Sequence, residues 1–331
     1  NPILVGKSGQ REIEVNSSGR IIREISRKDS VQGKNIQLTV DLRLQEYALN
    51  LLNSYRAGSI VVMNVQNGHI LCMASTPSYN PNNIVKKPNK DYWDSILQNK
   101  LSPLTFRSIQ GLYAPGSTFK MIVAIAGLYY GIIDTNTNHF CEGKVSLGDR
   151  LYHCWKNNGH GSVNVDQAIK ESCDVFFYEI SKKIGIDKIA SVAKEFGLGQ
   201  NFDIPLSNQK SGIIPSKKWK KENLGKSWYP GETLISAIGQ GFVLTNPLQL
   251  VNMTSIIASE GKVVEPKIIN DGILNKKKDL DKYKEAIKII KKSMFKVVNE
   301  ERGTAFKSRS KETVFSGKTG TSQVRRITVA E

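Results

Sequence analysis

The chain has 331 residues, of which 39% are hydrophobic and 23% charged. This composition suits one or two globular domains with a large core and excludes a disordered or fibrous protein. A formal charge of +17 points to anionic partners, but the lysines are scattered through stretches such as "SKKWKKEN", the pattern of solvated side chains. With no zinc-finger spacing, RNA-recognition signature or P-loop, nucleic acid is not the expected partner.

The first residues, "NPILVGKSGQ", carry no signal-like segment, and no apolar run reaches the roughly 18 residues of a membrane span. A membrane anchor, if the protein has one, is expected outside this sequence. Residues 1 to about 45 are polar, Gly-dotted and strand-like. "IQLTVD" alternates as a strand does, and "DLRLQEYALNLL" has helical spacing with Asp41 as N-cap. "GSIVVMNVQNGHILCMAS" reads as two strands about an Asn67-Gly68 turn, with Cys72 in the core. "TPSYNPNNIVKKPNKD" is a Pro/Asn loop. Helices are expected over about 118–130, 165–171, 174–184 and 186–196, the last ended by Gly197. "GETLISAIGQGFVLTNPLQLVNMTSIIASEG" holds a Gly-rich turn, Pro247 and a helix, and "KEAIKIIKKSMFKVVN" is an amphipathic helix. "VFSGKTGTSQV" reads as a Gly-marked strand. Strands at both ends with helices between them predict an α+β domain whose sheet joins distant segments.

Within "YAPGSTFK", Ser117 and Lys120 are three residues apart, just after the Pro115-Gly116 breaker. On a helix starting at Ser117 they lie on one face about a turn apart. A serine nucleophile needs a base, and the four histidines offer no Gly-x-Ser-x-Gly elbow to serve. A lysine can take that role when burial or another cation favours its neutral form. The helix N-terminus would also present free N–H groups to a developing oxyanion. By itself the pair reads equally as a helix cap and a solvated lysine.

Two further stretches complete a set. "ESCDVFFY" supplies Ser172 and Asp174, and "SGKTGTSQV" supplies Lys318-Thr319-Gly320. The order Ser-x-x-Lys, Ser-x-Asp, Lys-Thr-Gly, with separations of about 55 and about 145 residues, matches the set of penicillin-binding proteins and class A β-lactamases. Together with "LTVDLRLQ", "YAPGSTFKM", "GHGSVNVDQAIKESCDVFFYEISKKIGI" and "IGQGFVLTNPLQ", these motifs resemble class B penicillin-binding proteins of the elongation type, over residues 37 to 324.

That resemblance implies a transpeptidase domain of the serine β-lactamase-like fold over 37–331, an antiparallel sheet with a helical subdomain. A remnant of a β-rich N-terminal domain over 1–36 would precede it, and the C-terminal strands would be incomplete. It implies that Ser117 attacks the penultimate D-Ala carbonyl of a peptidoglycan stem peptide and that Lys120 takes its proton. Ser172 would relay a proton to the leaving group. Lys318, Thr319, Gly320 and Thr321 would hold the substrate's carboxylate, with the Ser117 and Thr321 N–H groups as oxyanion hole. Asp174 stands where many relatives carry Asn, and is expected to orient hydrogen bonds while Lys318 offsets its charge. β-Lactams would acylate Ser117. The reaction needs no cofactor. A RodA-type glycan polymerase and the MreC scaffold would be partners, at the inner membrane with the domain in the periplasm. A hydrolase of the same acyl-enzyme chemistry and a silent penicillin sensor are the competing classes.

The cysteines raise a separate question. Cys141, Cys154, His160 and Cys173 fall within 33 residues. Three thiolates and an imidazole suit a closed zinc site, with His139 and His153 as substitute ligands. Buried thiols, or one disulfide and a spare, are the alternatives. The resemblance favours a structural zinc. Because Cys173 lies between Ser172 and Asp174, it is expected to point behind the cleft and pin the motif from its back side.

Overall fold

The computed structural model describes residues 4–85, 90–272 and 279–322. Strands β1 (Gln10–Val15) and β2 (Ile21–Lys28) form an antiparallel ribbon whose second strand is exposed throughout. Helix α1 (Leu42–Leu52) starts where expected, because the Asp41 carboxylate accepts the N–H groups of Arg43 and Leu44. It covers the hairpin of β3 (Gly58–Met63) and β4 (Ile70–Thr76), burying Ala48 and Leu52 against Cys72 and Ala74. The connecting turn is wider than a two-residue Asn-Gly turn. The Asn64 N–H bonds the His69 carbonyl and the Gly68 N–H bonds back to Asn64, with Gly68 at φ 75°. "IQLTVD" does not form a strand. Apart from one bridge, Leu38 to Ile269, it threads between β4 and residues 267–270 before Asp41 turns it into α1.

Short helices α2 (Asn82–Val85), α3 (Lys90–Leu97) and α4 (Arg107–Gln110) lead to a 3₁₀ turn at Gly116–Thr118 and to α5 (Lys120–Tyr129). Four short strands follow: β5 (His139–Cys141), β6 (Lys144–Leu147), β7 (Arg150–His153) and β8 (Gly161–Val163). Then come α6 (Val165–Lys170), α7 (Asp174–Ile184), α8 (Ile186–Glu195), α9 (Lys217–Leu224), α10 (Pro230–Ala237), α11 (Pro247–Ala258) and α12 (Lys284–Asn299).

Helix α5 is buried on every side from Lys120 to Gly127, the mark of a core helix rather than a surface one. It packs against α7, α8 and α12 in the main core, where Ile122, Phe176, Phe177, Ile180, Ile256 and Ile287 are fully enclosed. Deleting one such side chain to Ala costs about 2–5 kcal/mol, so the position of the first residue of α5, Lys120, is set by packing.

The α+β class holds, but the expected single sheet is corrected. Among the described residues there are four separate two-stranded antiparallel sheets. Residues 309–322 belong to no strand, so the Lys-Thr-Gly segment is not the strand its β-branched residues suggested. A strand exists only through a ladder partner, and in this stretch the Gly317 N–H reaches a helix carbonyl, that of Met294. Gln323 and Val324, the end of that expected strand, lie outside the described residues. Among the described residues no helix is long and apolar enough to cross a membrane.

Candidate active site

The geometry starts at the C-terminus of α6. The Cys173 N–H bonds the Ala168 carbonyl at 3.0 Å and the Ser172 N–H bonds Ile169 at 3.3 Å. These are the two bonds of a Schellman motif, which requires a left-handed residue at the position of Ser172. Glycine is usual there. Ser172 adopts φ 56° instead, at a cost of about 1–2 kcal/mol. The motif turns the next residue, Cys173, back into the protein, where it is fully buried. Asp174 then begins α7, with its carboxylate at the positive end of the helix.

Three groups hold this turn. Lys120 is 0% exposed, and its ammonium donates to the Ser172 carbonyl (2.8 Å), the Ser172 hydroxyl (3.2 Å) and Asp174 Oδ1 (2.7 Å). All three of its protons are thereby engaged. Lys318 donates to the same Ser172 hydroxyl from the other side at 3.1 Å. Trp155 donates its backbone N–H to Asp174 Oδ2 (2.9 Å) and its indole N–H to the Glu171 and Ser172 carbonyls (both 3.1 Å).

The Lys318 pKa is lowered to about 7. Burial of its ammonium is the main cause, the charge of Lys120 adds to it, and Asp174 opposes both. The repulsion expected between the two lysines is thus felt at Lys318, the lysine without a carboxylate in contact.

Ser117 lies in the 3₁₀ turn, half-buried, and its hydroxyl has no hydrogen-bond partner among the described residues. The turn is shaped by close backbone contacts. Gly116 sits at φ 55°, and a Cβ there would lie 2.3 Å from the Thr321 carbonyl oxygen. Its N–H donates to the Gly239 carbonyl at 2.9 Å, and a Cβ on Gly239 would meet Gly116 O at 2.1 Å. Two glycines are therefore required back to back. Gly320 packs on Pro115 and Thr118. Residues 318–321 thus lie along the Ser117 turn, and neither the Ser117 nor the Thr321 N–H has a backbone acceptor among the described residues. The Thr319 hydroxyl bonds that of Thr304 at 2.7 Å.

Behind the turn, Cys141, Cys154, His160 and Cys173 are all buried, with their donor atoms within 4.8 Å of one another. His160 Nδ1 is 3.6 Å from Cys141 Sγ and 3.4 Å from Cys154 Sγ, and its Nε2 is a buried atom without a partner among the described residues. All four cysteines of the chain are free thiols, so the disulfide alternative is not formed. A hydrogen bond from Cys173 holds the Cys154 thiol far below its usual range, and the same contact with burial pushes Cys173 up. This donor set fits a tetrahedral metal such as zinc. His139 packs edge-on against Phe176 and His153 is exposed, and neither belongs to the cluster.

Apart from His139 and His153, the candidate site residues singled out in the sequence fall into two adjoining groups. Trp155 and Thr304 were missed. Trp155 follows directly after Cys154, but no residue pattern announces a bond to residues 16 to 19 positions away.

Comparison with known proteins gives one answer. The penicillin binding protein transpeptidase domain matches residues 58–327, and the penicillin-binding protein dimerisation domain matches residues 1–38. The peptidoglycan D,D-transpeptidase MrdA of Salmonella typhimurium is 40% identical over 268 residues, 80% of this chain and 43% of that protein. A complex of penicillin-binding protein PBP2 with MreC from Helicobacter pylori superimposes with a TM-score of 0.86 at 34% identity, covering 96% of this chain and 60% of the other. A peptidoglycan synthase complex coordinating polymerization and crosslinking gives 0.80 at 31% identity, covering 96% and 58%. The chain spans about half the length of the curated relatives it matches.

Replacing Ser172 by Gly separates its two duties. The left-handed turn relaxes by about 1–2 kcal/mol, but Lys120 and Lys318 lose a shared acceptor at a cost of about 1–3 kcal/mol, so stability in urea unfolding is unchanged or falls by up to about 2 kcal/mol. With Ser117 as the expected nucleophile, acylation by penicillin would fall by a factor of about 10² or more, because the hydroxyl between the two lysines is lost.

Proposed function

Because the chain belongs to the penicillin-binding protein transpeptidase family, we propose that the protein is a peptidoglycan D,D-transpeptidase of cell elongation that cross-links stem peptides through an acyl-enzyme on Ser117. The reading is carried by one observation: Lys120, Ser172, Asp174 and Lys318 share a single hydrogen-bond network, and residues 318–321 run along the Ser117 turn. In it, residues 1–36 belong to the dimerisation unit and residues from 37 onward to the catalytic one. MreC, bound by a PBP2 neighbour, and a RodA-type glycan polymerase are its partners. Its setting is the outer face of the inner membrane.

The network supports a specific proton path. Lys120, with three engaged protons, accepts nothing from Ser117 until one proton leaves. The Ser172 oxygen accepts from both lysines and has one proton to give. When Lys318 is neutral, Ser172 passes its proton to Lys318 and takes one from Lys120. Lys120 is then the neutral base that removes the Ser117 proton, while Ser117 Oγ bonds to the D-Ala carbonyl. The Ser117 and Thr321 N–H groups stabilise the oxyanion. The proton now on Lys120 leaves through Ser172 to the departing D-Ala amine, and the amine of a second stem peptide later displaces Ser117. Thr319 and Thr321 hold the substrate carboxylate beside Lys318.

The Cys/His cluster is read as a structural zinc site. When bound, zinc would fix Cys173, and through it the backbone on either side. Trp155, directly after Cys154, ties the cluster to Asp174 and Ser172. No proton moves through the cluster.

Three outcomes test this. Fluorescent penicillin labels the full-length protein, with the adduct mapped by mass spectrometry to Ser117, and Ser117→Ala is unlabelled; a labelled Ala variant would refute the assignment, and rapid release of the label would favour a hydrolase. The acylation rate per unit concentration of penicillin rises with pH through about 7, the Lys318 value, because protonated Lys318 takes no proton. Lys318→Arg stays charged and gives a low, flat profile from about pH 6 to 9. Elemental analysis finds one zinc per chain. Its removal by a chelator slows acylation and lowers Tm, and an intact protein with no metal would exclude the zinc site.

A further inference from the structure

Among the described residues, the most deeply buried charge outside this network is a lysine. Lys220 in α9 is 2% exposed, and its ammonium is 2.5 Å from Glu232 Oε1. The ring centroids of Tyr229 (4.5 Å), Trp228 (5.9 Å) and Phe242 (5.9 Å) surround it. An ammonium taken out of water costs several kcal/mol unless a counter-charge compensates it, and aromatic faces add attraction. Here every compensating group comes from one excursion of the chain, residues 228–242.

The two ends of that excursion meet at Lys220. At its start, Trp228 and Tyr229 face the ammonium, and the second oxygen of Glu232 accepts the Tyr229 N–H at 2.8 Å, closing the first turn of α10. At its end, Phe242 packs on Trp219 and Trp228, with centroids 5.4 and 6.3 Å apart. Between them run α10 and the turn that carries Gly239. That is the glycine whose carbonyl receives the Gly116 N–H, one residue before Ser117. The excursion is a loop clamped at its base and pressed at its tip against the nucleophile turn.

We propose that Lys220 is a positioning residue for Ser117. Its charge holds both ends of the 228–242 excursion, and the Gly239 tip holds the Gly116–Thr118 turn. This rests on the reading of Ser117 as nucleophile. Lys220 touches neither substrate nor the catalytic side chains, so its loss acts on the rate of bond formation and leaves initial binding of the antibiotic alone.

The test uses full-length protein and fluorescent penicillin in stopped flow, resolving the limiting acylation rate from the dissociation constant of the preceding complex. Lys220→Met lowers the limiting rate roughly 10-fold, since displacements of an ångström or less carry such losses, and leaves the dissociation constant within about twofold. Lys220→Arg, which keeps the charge and stacks on aromatic faces, recovers most of the rate. Phe242→Leu opens only the far end and leaves the ion pair, and it slows acylation in the same way if Lys220→Met does not fold. Variants with lower Tm but wild-type limiting rates, measured well below the transition, would overturn the proposal while leaving the reaction assigned. A wild-type protein that takes no label at Ser117 would overturn both.

Discussion

An ammonium with no solvent exposure must find all its hydrogen-bond acceptors inside the protein, and Lys120 finds three of them on residues 172 and 174. Leaving any of them unmade costs about 1–3 kcal/mol, and more for a charged group. The buried helix α5 fixes where Lys120 begins, so the α6–α7 junction must come to it. One bond does double duty. The Ser172 carbonyl that satisfies Lys120 belongs to the residue held at positive φ. The strain of that turn is thus offset by a contact that solvates the buried ammonium, whose charge the Asp174 carboxylate neutralises.

Ser117, the proposed nucleophile, is placed by a different force, the absence of side chains. Gly116, Gly239 and Gly320 let three segments of backbone touch where a single methyl group on Gly116 or Gly239 would collide. Hydrogen bonds hold the acid–base half of the site, which tolerates proton movement. Close backbone contact holds the half that carries Ser117, which must stay in one place while a bond forms. The two halves meet where the Gly116–Thr118 turn runs into Lys120, and again through Lys318 and the residues after it.

Much of this was legible in sequence where the signal was local. Helices α6, α7, α8 and α12 fall within a residue or so of their expected bounds, because capping and period act over a few positions. Asn164 with Gln167 forms a capping box on α6, and Gly185 at φ 78° ends α7. That Lys120, Ser172, Asp174 and Lys318 come together was legible through the order of their motifs along the chain. Contacts between distant segments were not. "SKKWKKEN" reads as solvated lysine, and Lys217, Lys218 and Lys221 are indeed exposed, yet Lys220 among them is buried. What buries it is Glu232 and three aromatic rings that no local pattern pairs with it. The Lys-Thr-Gly segment fails as a strand for the same reason: β-branched residues favour extension, but a ladder depends on a partner elsewhere in the chain.

The charges of the site bear on when the proposed base is formed. Lys120 and Lys318 with Asp174 leave one excess positive charge if both lysines are protonated, and burial disfavours it. Lys318, half-buried and without a carboxylate contact, is where the charge is relieved. In the proposed mechanism a stem peptide ending in a carboxylate, held by Thr319 and Thr321, would bring the missing negative charge to Lys318 itself. Proton affinity at Lys318 then rises at the moment of binding, and the proton nearest to it is the one on Ser172, replenished from Lys120. In this account the substrate's anion draws a proton away from Lys120 and so creates the base that deprotonates Ser117. A ligand lacking that carboxylate would occupy the cleft without drawing the proton away, so under this proposal selectivity for an anionic terminus would come from the chemistry as well as from binding.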